Sequence, residues 1–166
     1  YAISKLKAAH PNICIIGEVY NPSLYRIYLQ AGFDYLYDKV GMYDTVRAVM
    51  CGQASAQAIT QAWQQTDDIH EHMLYFLENH DEQRVASQFF AGKAEKGVPA
   101  TIATALMRTN PVMLYAGQEY GEPGMDSEGF SGQDGRTTIF DYWCVPSLHH
   151  AYVDRRKLTT SEKHLH

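Results

Sequence analysis

Apolar residues fall along this chain in two textures: short continuous runs, and longer stretches in which they recur at helical spacing. Residues 2–9 (AISKLKAA) read as a helix that Pro11 stops, because proline lacks an amide donor and restricts the residue before it. Residues 13–16 (ICII) are continuous and mostly β-branched, which predicts a strand buried on both faces. Pro22 and Ser23 open a helix over about 23–31 that Gly32 closes. Residues 33–37 give a weaker strand, and 42–51 and 55–66 are helical by composition with Gly52 between them. Residues 73–77 (MLYFL) are a third strand, 81–90 a helical stretch beginning at Asp81, and 95–109 a helix with Pro99 near its start and Pro111 after its end. Residues 112–115 (VMLY) are a fourth strand. A glycine-rich, acidic irregular loop covers 117–138, and 148–164 read as one last helix.

Strands alternating with helices imply an α/β fold with a parallel sheet. Two architectures fit, an open doubly wound sheet and a (β/α) barrel. A complete eight-fold barrel takes about 250 residues, so 166 residues hold about half of one. No internal repeat and no linker divides the chain.

Composition narrows the function classes. Apolar residues are 45% and charged residues 20%, an ordinary globular balance. The formal net charge of −5 disfavours a nucleic-acid partner, which requires a basic face. No apolar run approaches the roughly 20 residues of a membrane segment. The chain begins with Tyr1 rather than Met, so any targeting segment is expected upstream. Cys14, Cys51 and Cys144 form neither a disulfide framework nor a zinc motif. Cys14, inside its apolar run, is expected to behave as a small hydrophobe. His70 and His72, two residues apart, point to different sides of a helix, and no metal ligands are assigned in this chain.

In both architectures sites form at the carboxyl ends of the strands. The apolar runs are followed by Glu18 and Tyr20, by Asp38 and Lys39, by Glu78, Asn79, His80 and Asp81, and by Gln118 and Glu119. A carboxyl group in an apolar setting has a raised pKa and suits a general acid, while a second one beside a donor stays ionised. Glycoside hydrolysis uses that division of labour, and tyrosines such as Tyr20, Tyr25, Tyr28, Tyr35 and Tyr37 offer faces for sugar rings. Asn79 and Asp81 also suit plain helix capping, and a strand-end Glu also suits a salt bridge.

At these residues the chain resembles the α-amylase superfamily, glycoside hydrolase family 13. Gly17-Glu18-Val19-Tyr20 is similar to its fifth-strand motif, and Glu78-Asn79-His80-Asp81 to its seventh-strand motif, about 60 residues further on. Phe33-Asp34-Tyr35 resembles the sixth strand, and residues 112–121 (VMLYAGQEYG) the eighth strand and its loop. The resemblance implies that residues 1–166 are a partial catalytic barrel domain, strands five to eight of a TIM barrel, running from the fourth helix to the eighth. It implies Glu18 as general acid/base and Asp81 as transition-state stabiliser. His80 would bind substrate hydroxyls, with Asn79, Tyr20 and Tyr35 as further substrate-binding residues. Arg84 is expected to be a structural charge or one that supports the site from behind, and Gln118 and Glu119 to organise their loop. Phe140, Tyr142 and Trp143 are expected to pack the last helix.

The family's nucleophile, an aspartate ending the fourth strand, has no counterpart here. The resemblance therefore implies a parent retaining α-glucan hydrolase acting on α-1,4 bonds of starch-like glucans or maltooligosaccharides. The chain alone is expected to be inactive, and calcium belongs, if anywhere, to the parent protein. Its outer strands, lacking neighbours, are expected to pair with the missing half-barrel or with a second copy. The alternatives are a transglycosylase or branching enzyme of the same superfamily and a non-catalytic glucan-binding relative. A nucleotide-binding open sheet is disfavoured, since no GxGxxG or GxxxxGK[ST] is present.

Overall fold

The computed structural model describes residues 1–125, 132–137 and 145–166. Phe140, Tyr142, Trp143 and Cys144 lie outside the described residues. The chain divides into two compact units, one of Tyr1–Val49, Ala54–Phe76 and Thr104–Met113, the other of Met50–Gln53, Leu77–Ala103 and Leu114–His166.

The first unit holds the sheet. Helix α1 (Ala2–Ala9) precedes strand β1 (Ile16–Gly17), and a short 3-10 turn leads into α2 (Tyr25–Gln30). Gly32, at φ 106°, turns the chain into β2 (Tyr35–Tyr37), as its position after the helix predicted. A π-helical turn over Lys39–Tyr43 runs into α3 (Asp44–Met50), followed by α4 (Gln57–Gln65) and β3 (Met73–Phe76). Helix α5 (Ala94–Leu106), whose residues up to Ala103 belong to the second unit, precedes β4 (Val112–Met113) in the chain. All three strand pairs are parallel and the order is β1-β2-β3-β4. A doubly wound sheet reverses its strand order at a switch point. This sequential order, with a helix between successive strands, is that of part of a (β/α) barrel.

The register sorts side chains by face, since neighbours along a strand alternate. Ile16 lies beside Tyr35, Tyr37 beside Leu74, and Phe76 beside Met113. Contacts follow: the Tyr37 and Phe76 rings are 5.2 Å apart, and the Tyr37 hydroxyl is 3.5 Å from the Met113 sulfur. The opposite face carries Gly17, Leu36, Met73 and Tyr75, all buried. Gly17 allows a close approach there, because a Cβ would meet Leu36 Cδ2 at 2.8 Å.

Three sequence expectations are corrected. Residues 13–16 are not buried on both faces: Ile16 is 51% exposed and Cys14 is exposed. Strand β1 is the sheet edge, and in this chain only the Gly17 side of it is covered. Residues 81–90 form turns rather than a helix. Their backbone donors are taken by other acceptors: those of Asp81 and Glu82 by Asn79 Oδ1, that of Arg84 by the Gly135 carbonyl, and that of Val85 by Glu78 Oε1. Residues 148–164 are not one helix but α6 (Pro146–Tyr152), a 3-10 turn (Arg155–Lys157) and α7 (Thr160–Leu165). A capping box between Thr159 and Glu162 starts α7 afresh. Those last elements enclose the second unit's small core of Tyr120, Ala151 and Leu158.

Candidate active site

In the first unit, Glu18 and Tyr20 follow the carboxyl end of β1, and both are exposed. The Tyr20 hydroxyl donates to Glu18 Oε1 at 2.6 Å, a short, strong O–H···O bond. The Lys39 ammonium lies 5.9 Å from the Tyr20 ring centroid and 5.6 Å from that of Tyr43, within cation–π range, and pairs with Asp44 at 2.9 Å. Tyr43 stacks on Phe76, centroids 5.0 Å apart and planes 8° from parallel. The edge beside Glu18 is thus aromatic with one cation above it. Tyr35 sits elsewhere, at the amino end of β2 beside Ile16, and Tyr37 occupies the carboxyl end.

Asp38, the next residue after Tyr37, is buried. Burial pushes its carboxyl up to about 6, against the opposing pull of the Met42 and Gly41 amides and the Tyr25 hydroxyl. The Tyr25 hydroxyl is raised in turn, first by burial and then by Asp38. The raised carboxyl foreseen for a strand end therefore falls on Asp38, which lies out of contact with solvent, and also on Glu78 after β3, pushed up by burial against the opposing pull of Arg84.

In the second unit the segment after β3 is built on a buried ion pair. Glu78 Oε2 and Arg84 Nη1 meet at 2.7 Å, and Glu78 Oε1 accepts from the Val85 amide at 2.8 Å. Arg84 also donates to Thr137 Oγ1 and to the Ala116 carbonyl, and its guanidinium lies 4.2 Å from the Tyr115 ring centroid. Arg84 is structural, as expected. Inside this frame Asn79 is buried, and its Oδ1 accepts from the amides of Asp81 and Glu82, each at 2.9 Å. That Asx turn presents His80 and Asp81 at the surface, with His80 Nε2 3.5 Å from Asp81 Oδ1. Arg136, paired with Asp134, donates from Nε to the Asp81 carbonyl at 2.6 Å. Gln118 and Glu119 do organise their loop, through the amides of Tyr115 and Gly117.

The six predicted site residues thus fall in two groups, Glu18, Tyr20 and Tyr35 in the first unit and Asn79, His80 and Asp81 in the second. Tyr43 and Arg136 join the two clusters without having been singled out in the sequence. Arg136 lies in the irregular loop, and its only signal was a cation in the turn-like Asp134-Gly135-Arg136. Among the described residues no three His, Cys, Asp or Glu side chains converge as a metal site would require. No helix among them is long and apolar enough to cross a membrane.

A parallel sheet in sequential order, with carboxylates and aromatics beyond its strand ends, defines a barrel-type catalytic domain. The family model for the alpha-amylase catalytic domain matches residues 3–163, and the chain belongs to that family. Its fold is similar to the crystal structure of an alpha-amylase from Lactobacillus plantarum, with 22% identity and a TM-score of 0.56. That match covers 72% of this chain and 31% of the amylase, so the chain spans less than a third of that protein. No curated protein matches the chain.

Proposed function

We propose that this chain contributes the acid half of the machinery of a retaining hydrolase that cleaves α-1,4 bonds in starch-like glucans and maltooligosaccharides. Glu18 is the general acid/base: it protonates the leaving glycosidic oxygen, then takes the proton from the incoming water. Asp81 carries negative charge toward the oxocarbenium-like centre, and His80 holds sugar hydroxyls beside it. Asn79 shapes that turn, and Tyr20 contributes aromatic surface and a hydroxyl for the glucan, whereas Tyr35, at the amino end of β2, takes no part. A retaining mechanism also requires a nucleophile about 5–5.5 Å from the acid, and we assign it to the part of the barrel that these 166 residues do not include. Alone, the chain does not hydrolyse glucan; it acts when paired with the preceding half-barrel.

The observation that carries this reading is Glu18, exposed at the carboxyl end of β1 in a chain of the alpha-amylase family, with the Tyr20 hydroxyl fixing its orientation. The test is reducing-end release from soluble starch, measured for this chain, for the chain supplied with a preceding half-barrel, and for Glu18→Gln in each. Activity only in the completed barrel, lost by at least about a hundredfold in Glu18→Gln, supports the assignment, since general acid–base groups contribute 10²–10⁴-fold. A completed barrel that transfers glucan to an acceptor without releasing reducing ends would assign it to transglycosylation.

A further inference from the structure

The geometry points to Asp38 as a positioning residue for the acid end of this site: it holds the turn that sets Lys39 over the ring of Tyr20, the hydroxyl donor to Glu18. The inference rests on the role proposed for Glu18. Asp38 itself, 1% exposed, touches no substrate.

The holding contacts are local and specific. Asp38 lies between β2 and the π turn Lys39–Tyr43 and caps that turn, its Oδ1 accepting from the Gly41 amide at 3.1 Å. Its carbonyl accepts from the Tyr43 amide at 3.0 Å, and its own amide donates to the Leu74 carbonyl on β3 at 3.1 Å. One residue therefore ties the sheet to both the middle and the end of the turn. Gly41 belongs to the device, because a Cβ there would collide with Asp38 Oδ1. The turn delivers two groups, Lys39 over the rings of Tyr20 and Tyr43, and Tyr43 stacked on Phe76. A π-helical turn is a rare conformation that is frequent at functional sites, and here a buried carboxylate caps it.

Such a device responds to protonation, because a neutral carboxyl is a weaker acceptor for backbone amides. The titratable and charged groups around Asp38 are Tyr25 from α2, Asp44 at the start of α3 with its partner Lys39, and Tyr75 from β3. The two tyrosines ionise far above the range of a carboxyl.

The experiment is an NMR titration of this chain between pH 4 and 8, following the Gly41 amide, the Lys39 side chain and the Tyr20 ring. A common step near pH 6 in all three, absent in Asp38→Asn, is the expected result. Asp38→Ala should speed Gly41 amide exchange roughly tenfold, as a lost hydrogen bond does, and abolish the Lys39–Tyr20 contact while Tyr75 on β3 stays protected. Should that variant not fold, Gly41→Ala breaks the same hydrogen bond from the other side and should give the same losses. A Lys39–Tyr20 contact unchanged in a folded variant, or a Tyr20 ring that ignores the step at Gly41, overturns the inference. These signals need no substrate, so they separate from the role of Glu18: activity surviving in Glu18→Gln would remove that role whatever the turn does.

Discussion

Glu78 and Arg84 meet at 2.7 Å with both side chains 1% exposed, and the turn bearing Asn79, His80 and Asp81 is closed between them. A buried charge left without its partner is far more costly than the pair is stabilising. Arg84→Met should therefore destabilise the fold by about 3–5 kcal/mol. The double variant Glu78→Gln, Arg84→Met should recover part of that loss, because no charge is then stranded. Urea unfolding of the native chain, Arg84→Met, Glu78→Gln and the double variant measures the coupling, and a double variant no better than Arg84→Met would show that Arg84 acts only through Thr137, Ala116 and Tyr115.

Asp38 gives stability a distinct pH dependence. Its folded value of about 6 lies above the ordinary carboxyl value of 3.8. The folded state therefore binds more protons than the unfolded one between those values, and this group's contribution falls as pH rises from about 4 to 6, then stays level. Raising the carboxyl from 3.8 to about 6 corresponds to roughly 3 kcal/mol. Relative to the native chain, Asp38→Asn should gain about that much stability between pH 4 and pH 7. Thermal or urea unfolding at the two pH values checks it, and a constant difference would mean that Asp38 is not buried as a charge.

Gly17 reports on the packed face of β1. A methyl group there would lie 2.8 Å from both Leu36 and Phe33 side-chain carbons. Gly17→Ala should cost about 1–3 kcal/mol by overpacking, whereas Cys14→Ser, on the exposed side of the same segment, should be within about 0.5 kcal/mol of native. Equal effects from the two substitutions would contradict the one-sided burial of this strand.

The capping box at α7 makes a smaller prediction. Thr159 Oγ1 accepts from the Glu162 amide at 3.1 Å while Glu162 Oε2 accepts from the Thr159 amide at 2.6 Å. Thr159→Ala should cost about 1 kcal/mol, and Thr159→Ser should cost little. Amide exchange within α7 is the local readout.

The third strand was legible because residues 73–77 (MLYFL) are a compact apolar run bounded by polar residues, whereas of the run 13–16 only Ile16 lies in β1. The barrel-type order became legible only through the motifs around Glu18 and Asp81, since alternation alone allowed a doubly wound sheet. The failures share a cause. Residues 81–90 have helical composition, but Asn79, Glu78 and Gly135 take the amides that a helix would use, and those partners depend on tertiary placement. Exposure of Ile16 and Cys14 is likewise a property of a sheet edge rather than of the local pattern. The break before α7 did have a local signal, Thr159-Thr160-Ser161-Glu162, a capping-box spacing inside what composition reads as one helix. The π turn after Asp38 had none beyond Gly41, whose missing Cβ admits the carboxylate.

Glu18 is proposed as the acid of a barrel that this chain only half encloses. The most direct measurement is reducing-end release from soluble starch by this chain with and without the preceding half-barrel, each with its Glu18→Gln control. Activity that appears only on completion and falls at least about a hundredfold in Glu18→Gln is the predicted result. Glu18-dependent activity from residues 1–166 alone would place a nucleophile within them and contradict it.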